Sequence, residues 1–235
     1  MATGISNTSA TPSVIAIPPL CAGDRLTRDE FERRYAASPN IAKAELIEGV
    51  VYVQFAVRFD HGFATSDLNA WLAVYASQMP GVKAFDNATV RLDIDNEPQP
   101  DAGLLIEPPF GQVAFGQDRY LEGAPELVAE VAVTSASYDL HDKLNAYRRN
   151  GVREYIVWRV MDCEIDWFRL HGGRYEQLAP APSGIFQSEE FPGLWLDKTA
   201  MIQRDMARVL QVLQHGIASP EAGAFGTKMR ERRQN

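Results

Sequence analysis

The sequence predicts a mixed α+β domain in which helices flank a mixed β-sheet. Residues 63–79 place apolar side chains at helical spacing, so they predict a helix. Residues 127–133 form a nearly continuous apolar run, which is typical of a strand buried on both faces. Residues 153–160, 163–170 and 174–179 predict three strands joined by short turns, the pattern of an antiparallel meander.

The length of 235 residues fits one domain with short extensions. Residues 1–24 are rich in Ser, Thr, Ala and Pro and lack periodicity, so we expect a flexible arm. We expect the domain at 25–215, followed by a basic tail at 216–235. The basic side chains of that tail are Lys228, Arg230, Arg232 and Arg233.

The first half of the chain predicts a helix, a hairpin and a second helix. The first helix should run from Thr27 to Ala37, because Thr27 and a Glu three residues later form a capping box. The segments AELIEG and VVYVQFAV predict a hairpin that turns at residues 48–49. The second helix, 63–79, ends at a Pro-Gly pair.

The second half adds strands at 82–94 and 101–106, before the central strand at 127–133. The segment SASYDLHDKLNAYRRNG then predicts a helix that Gly151 ends in left-handed geometry. After the meander, a closing helix should span Thr199 to His215.

Composition excludes several classes of protein. Cys21 and Cys163 are the two cysteines, so neither a disulfide framework nor a cysteine-rich zinc site is expected. The N-terminal segment has no basic residue before Arg25 and no long apolar run, which argues against a signal peptide. No stretch is apolar enough to span a bilayer. We therefore expect a cytoplasmic protein without a membrane partner.

The formal net charge of −8 argues against avid, non-specific binding of nucleic acid, because phosphate contacts need local Lys and Arg. It does not exclude a nuclease, since a bound divalent cation inverts the field of an acidic site. Arg148, Arg149 and Arg153, together with the basic tail, are the candidate phosphate contacts, and a solvated surface is the simpler interpretation of them.

Glu130 is the most informative residue, because it interrupts the apolar strand LVAEVAV. An ionised carboxylate there costs several kcal/mol unless a lysine, a metal ion or exposure at a sheet edge compensates it. Asp101 follows a proline at the start of another apolar run, which fixes its position. Two such carboxylates on neighbouring strands could share Mg²⁺, although Asp101 could also simply form a turn.

Lys143 is a third candidate, on the helix after the Glu130 strand. Asp139, Lys143 and Tyr147 share one face of that helix at four-residue spacing. If the face points at Glu130, the ammonium could orient a water molecule or stabilise negative charge on phosphorus. The alternative is an exposed ion pair between Asp139 and Lys143.

Three segments together resemble a known family: PDAGLLIE, EGAPELVAEVAVTSAS and DLHDKLNAYRRNGVREYIVW. They are similar to the Uma-type restriction endonuclease family of the PD-(D/E)XK nuclease superfamily, over roughly residues 27–200. The resemblance implies a restriction-endonuclease-like core and a Mg²⁺- or Mn²⁺-dependent endonuclease that acts on DNA. A homodimer fits this activity, because cutting a duplex needs two sites.

By this resemblance, Asp101 and Glu130 are the metal ligands, and the main-chain carbonyl of Val131 is a third. The superfamily's usual lysine lies two residues after the glutamate, where this chain has Ala132. Lys143 on the next helix is the matching lysine in the Uma-type pattern.

The resemblance also implies a glutamate from an early element near the metal, for which Glu45 is the best match and Glu48 the second. Two other functions stay open. One is a catalytically inactive binding or regulatory module on the nuclease scaffold, and the other is a hydrolase of a small phosphorylated substrate.

Overall fold

The computed structural model of the protein describes residues 16–54 and 58–234. Its helices are Arg28–Ala36 (α1), Phe59–Gln78 (α2), Ala136–Tyr138 (α3), Leu144–Asn150 (α4), Lys198–Ile202 (α5), Met206–Ile217 (α6) and Pro220–Gln234 (α7), and a π-helical segment, Asp139–Lys143, joins α3 to α4. Its strands are Lys43–Ile47 (β1), Val50–Gln54 (β2), Val82–Phe85 (β3), Val90–Arg91 (β4), Ala102–Ile106 (β5), Ala114–Phe115 (β6), Leu121–Glu122 (β7), Leu127–Ala132 (β8), Glu154–Arg159 (β9), Glu164–His171 (β10), Arg174–Gln177 (β11), Ile185–Gln187 (β12) and Trp195–Asp197 (β13).

The main sheet has six strands in the order β11-β10-β9-β8-β5-β3. β8 and β9 are parallel, and the other neighbours in this sheet are antiparallel. The crossover between the parallel pair is made by α3, the π-helical segment and α4, as a parallel connection requires. The sheet is therefore mixed, and the predicted α+β class is confirmed.

The two faces of β8 enter different cores. Leu127, Ala129 and Val131 pack into the large core beneath α2 and α6. Val128 and Ala132 pack on the other face, toward α4. Because side chains alternate along a strand, Glu130 lies on the α4 face with these last two residues.

Several predicted elements are confirmed. β1 and β2 form a hairpin that turns at Glu48 and Gly49, which have φ values of 51° and 73°. The predicted second strand of this hairpin extends to 57, and residues 55–57 lie outside the described part. β9, β10 and β11 form the predicted meander. α4 ends at Gly151, whose φ is 84°.

Other elements differ in their bounds. α2 begins at Phe59, four residues before the predicted start. The predicted strand 82–94 is two short strands in different sheets, β3 and β4. The closing helix is broken, because Arg204 takes a φ of 60° and the Asp205 carboxylate then caps α6. α1 matches its prediction, but the Thr27 side chain forms no cap hydrogen bond.

Buried residues occur near both ends of the described part of the chain. Leu20 is buried with Phe31 and Leu46, although it falls in the predicted arm. The predicted basic tail contains α7, whose Ala222 and Met229 are buried in the large core. Its buried positions are small or isolated, which is why the apolar pattern is weak. Across 16–54 and 58–234, the model has no helix with the length and apolar character that crossing a membrane needs.

Candidate active site

A cavity of about 320 Å³ opens where the β1–β2 hairpin, the start of α2, the end of β8 and the π-helical segment meet. All five residues predicted for the site line it: Glu45, Asp101, Glu130, Val131 and Lys143. The structure therefore brings together residues that are up to 98 positions apart in the chain, from 45 to 143.

Asp101 and Glu130 are placed side by side by the register of β5 and β8. Ala102 pairs with Ala129 in this antiparallel ladder. One residue further along, Asp101 lies opposite Glu130 on the same face of the sheet. Both carboxylates are buried, so the strand geometry holds them together away from bulk water.

Glu130 is held through one of its two oxygens. Its Oε1 accepts hydrogen bonds from Lys143 Nζ and the Tyr147 hydroxyl, both at 2.8 Å. Within the described residues, Oε2 accepts no hydrogen bond, and the Glu130 residue lines the cavity. Burial, against the attraction of Lys143 and with repulsion from Asp101, raises the pKa of Glu130 to about 8. Oε2 is thus available to bind a cation or a proton.

Asp101 is also held through one oxygen. Its Oδ2 accepts the Val131 N–H at 2.9 Å and lies 3.2 Å from His61 Nε2. Its Oδ1 lies 3.8 Å from Lys43 Nζ, too far for a hydrogen bond. Burial raises the pKa of Asp101, but His61 and the nearby lysines outweigh it and lower the pKa overall. Asp101 is therefore ionised near neutral pH.

Lys143 faces the sheet, as its predicted role requires. Its Nζ lies 2.8 Å from Glu130, 3.0 Å from Glu45 and 3.9 Å from Asp139. The side chain is only 2% exposed, so the alternative of an exposed ion pair is wrong. Burial lowers the pKa of Lys143, but the carboxylates outweigh it and raise the pKa well above its usual value. The ammonium stays charged.

Lys143 lies at the end of the π-helical segment, whose hydrogen bonds span five residues rather than four. Asp139 and Lys143, at the two ends of this segment, are both buried. Tyr147 follows one turn later and reaches the same Glu130 oxygen.

Glu45 is fully buried, at 0% exposure, and both of its oxygens are engaged. Oε1 accepts the Gln99 N–H at 2.7 Å and contacts Lys143 at 3.0 Å. Oε2 accepts a hydrogen bond from Gln54 at 3.0 Å. Glu45 thus holds the ammonium of Lys143 in place. Glu48, the second match, lies in the hairpin turn outside the cavity lining and pairs with Arg149.

Val131 borders the cavity through its main chain. Its N–H donates to Asp101, and the N–H and C=O of one strand residue point to the same side. Its carbonyl therefore faces the Asp101 side of β8, beyond the residues that β5 pairs.

The donor set fits a hard divalent cation. Asp101 Oδ1, Glu130 Oε2 and the Val131 carbonyl are oxygen ligands of the kind that Mg²⁺ and Mn²⁺ prefer. Four carboxyl groups, including Glu45 and Asp139, line the cavity with Lys143 and Arg58, so acidic groups outnumber these two basic ones and a cation would offset the difference. Across 16–54 and 58–234, no three His, Cys, Asp or Glu side chains form a metal cage. A two-carboxylate site completed by water agrees with both observations.

His61 and Tyr147 contact the carboxylates directly, although neither was predicted as a site residue. His61 lies on α2, with Thr65 Oγ1 3.2 Å from its Nδ1 and Asp101 on its other nitrogen. The available signal was the four-residue spacing of His61 and Thr65 at the start of that helix. For Tyr147 the signal was its four-residue spacing from Lys143. The same spacing is equally typical of a tyrosine in the core.

The candidate phosphate contacts are not brought to the cavity. Arg149 pairs with Glu48, and Arg153 pairs with Glu190. Arg148 donates to Asn145 and to the Gly173 carbonyl. Arg58, at the start of α2, does line the cavity, together with Lys143 and His61.

The fold and the paired carboxylates define a nuclease-like α+β protein. A model of the Uma2 family, described as "Putative restriction endonuclease", matches residues 28–199. The chain belongs to this family. Among solved structures it is similar to "a putative nuclease belonging to DUF820" from Anabaena variabilis ATCC 29413, with a TM-score of 0.53 and 14% identity. That similarity covers 72% of this chain and 97% of the other. None of the curated proteins matches this chain significantly.

The family confirms the predicted resemblance, and the solved structure supports the restriction-endonuclease-like core. At 14% identity the likeness to that structure concerns the fold alone. The roles of the individual residues remain predictions.

Proposed function

We propose that the protein is a Mg²⁺- or Mn²⁺-dependent endonuclease that hydrolyses phosphodiester bonds in DNA. The observation that carries the proposal is the cross-strand pair of Asp101 and Glu130, which both line the cavity. Each has one oxygen that accepts no hydrogen bond among the described residues. The family and the solved relative support a nuclease.

Asp101, Glu130 and the Val131 carbonyl would hold the cation, which when bound acidifies water and neutralises charge on the phosphate. Val131 N–H and His61 orient Asp101, and Lys143 with Tyr147 orient Glu130. Glu45 keeps the Lys143 ammonium at the cavity wall, where its positive charge favours negative charge developing on the phosphoryl oxygens.

The direct test combines metal binding with cleavage. Titration calorimetry with Mn²⁺ should show binding to the wild type and its loss in Asp101→Asn and Glu130→Gln. Supercoiled plasmid should be nicked by the wild type with Mg²⁺ and not by either variant. Glu48→Gln is the matched control, because that glutamate lies outside the cavity and should leave both readouts unchanged. Equal nicking by Glu130→Gln and wild type would remove Glu130 from the mechanism.

A second candidate is a binding module that retains the scaffold without catalysis. The enclosure of Lys143 by three carboxylates favours it, because little of the ammonium reaches the cavity. Absence of Mn²⁺ binding at millimolar concentration would favour the binding module over the nuclease.

A further inference from the structure

Two adjacent phenylalanines are exposed at the start of α2. Phe59 is 72% exposed and Phe63 is 53% exposed. Their ring centroids lie 5.9 Å apart in an edge-to-face arrangement. They lie one turn apart on the same face of the helix, so together they form a continuous apolar surface. Apolar surface of this kind is characteristic of an interaction site.

Two arginines lie near the rings, one stacked on Phe63 and one next to Phe59 in sequence. The guanidinium carbon of Arg204 lies 5.0 Å from the centroid of Phe63, and Arg204 Nε donates to Asp67 at 2.7 Å, which holds it there. Arg58 directly precedes Phe59, is exposed and lines the active-site cavity. We call Arg58, Phe59, Phe63 and Arg204 together the aromatic–arginine surface.

The same helix turn connects this surface with the carboxylates. His61 lies between the two phenylalanines in sequence, and its Nε2 contacts Asp101. Residues two apart on a helix point to nearly opposite sides. α2 therefore presents His61 to the site and the rings to solvent, with Arg58 at the rim of the cavity between them.

We propose that the aromatic–arginine surface binds a nucleic-acid strand whose bases are unpaired. The bound bases would lie next to the phosphate of the same strand that enters the cavity. This rests on the proposed nuclease function and specifies its substrate. A phenyl ring stacks on the face of a base, which is accessible in a single strand and covered inside a duplex. The exposed Arg58 guanidinium suits a phosphate that flanks such a base, whereas Arg204 is paired with Asp67 and stacks on Phe63.

A second copy of the chain fits the same surface less well. A two-fold contact would place the same patch on both subunits. Arg58 of one subunit would then lie opposite or close to Arg58 of the other subunit. The repulsion between these like charges opposes such a contact. Phosphates of a nucleic-acid strand attract the same side chains.

The test measures affinity by fluorescence anisotropy with a labelled oligonucleotide of about 20 nucleotides, a length that exceeds one binding site. It is run single-stranded and as a duplex, with Ca²⁺ to prevent cleavage. The double variant Phe59→Ala/Phe63→Ala should bind the single strand about 10-fold more weakly or worse, with a smaller effect on the duplex. Phe115→Ala is the control, because Phe115 is 59% exposed but lies on β6 and not on α2. It should change neither affinity.

Hydrolysis of bis-nitrophenyl phosphate separates this proposal from the proposed function, because so small a diester needs only the metal site. The double variant should hydrolyse it at the wild-type rate. If the wild type does not hydrolyse it but binds single strands through the two phenylalanines, the nuclease function fails and the binding surface stands.

Three results would overturn the binding surface. The first is unchanged single-strand affinity in the double variant, and the second is an equal loss for single strand and duplex. The third is a change in sedimentation of the double variant with unchanged affinity, which would show contact between copies. The conservative variant Phe59→Tyr/Phe63→Tyr should retain single-strand binding, because it keeps both aromatic faces.

Discussion

Glu130 and Glu154 are buried glutamates on neighbouring parallel strands, but they are satisfied in different ways. Glu154 lies on the face of the sheet toward the large core, opposite to Glu130. Both of its oxygens are fully engaged. Its four donors are the N–H groups of Glu189 and Glu190 on Oε1 and the side chains of Ser188 and Trp167 on Oε2.

Among the described residues, Glu130 has two donors, both on one oxygen, and it lines the cavity. Burial of a carboxylate therefore does not by itself indicate function. A carboxylate whose hydrogen bonds are complete anchors loops, as Glu154 anchors residues 188–190. A carboxylate that lines a cavity and has an oxygen without a hydrogen-bond donor can bind a ligand.

The largest expected effect separates activity from stability at Glu130. Glu130→Gln keeps the shape and an acceptor for Lys143 and Tyr147, so the free energy of unfolding should change by less than about 1 kcal/mol. Hydrolysis of the phosphodiester should fall about 1000-fold, or about 4 kcal/mol, because a neutral amide binds the cation poorly. Steady-state kinetics and urea unfolding measure the two quantities. A large loss of stability with retained activity would reverse the assignment.

Glu154→Ala should show the opposite pattern. Its removal leaves two buried and two partly buried donors without an acceptor, which should lower the free energy of unfolding by about 3 kcal/mol or more. The folded fraction should keep its hydrolytic activity and its Mn²⁺ binding, since Glu154 does not line the cavity. Urea unfolding monitored by tryptophan fluorescence provides the measurement, and loss of Mn²⁺ binding in folded protein would contradict it.

The pH dependence of stability should also depend on Glu154. Burial raises its pKa from 4.5 to about 7, against the four hydrogen bonds that favour the ionised form. The stabilisation from the protonated carboxyl is therefore complete below about pH 4.5 and is lost as the pH rises to about 7. The difference in unfolding free energy between wild type and Glu154→Gln should shift by about 3 kcal/mol across this range. A constant difference would show that Glu154 ionises normally.

The smallest expected effect is at Tyr147. Tyr147→Phe removes one of the two hydrogen bonds to Glu130 Oε1 and should cost about 1 kcal/mol of stability. Because Lys143 alone then orients the carboxylate, Mn²⁺ affinity should fall modestly, by about 10-fold. Tyr175→Phe, which removes a hydroxyl bonded to the Val152 carbonyl, is the matched control and should leave metal affinity unchanged. An equal drop in both variants would mean a general loss of packing.

Much of the fold could be predicted from local patterns. The hairpin at 48–49, the central strand near 127–133 and the meander follow from alternation and turn residues. The break at Arg204 and the helix at 220–234 could not, because a left-handed residue and a small-residue packing face leave a weak signal in sequence.

The site shows the same division. Glu130 is marked by its apolar surroundings, since a carboxylate in such a strand requires compensation. Asp101 and Lys143 needed the resemblance to a family as well. His61 could not be assigned, because its contact with Asp101 depends on how α2 crosses β5.

The sequence by itself determined the class of fold, the family and the acidic residues worth testing. Local propensity and apolar periodicity act between near neighbours, so they are readable in the chain. Tertiary structure decided that both oxygens of Glu154 are hydrogen-bonded, that one oxygen of Glu130 accepts no hydrogen bond among the described residues, and that Lys143 lies beside Glu130. Those differences depend on strand register and on packing between distant segments, where hydrogen-bond partners are chosen by geometry and not by sequence neighbours.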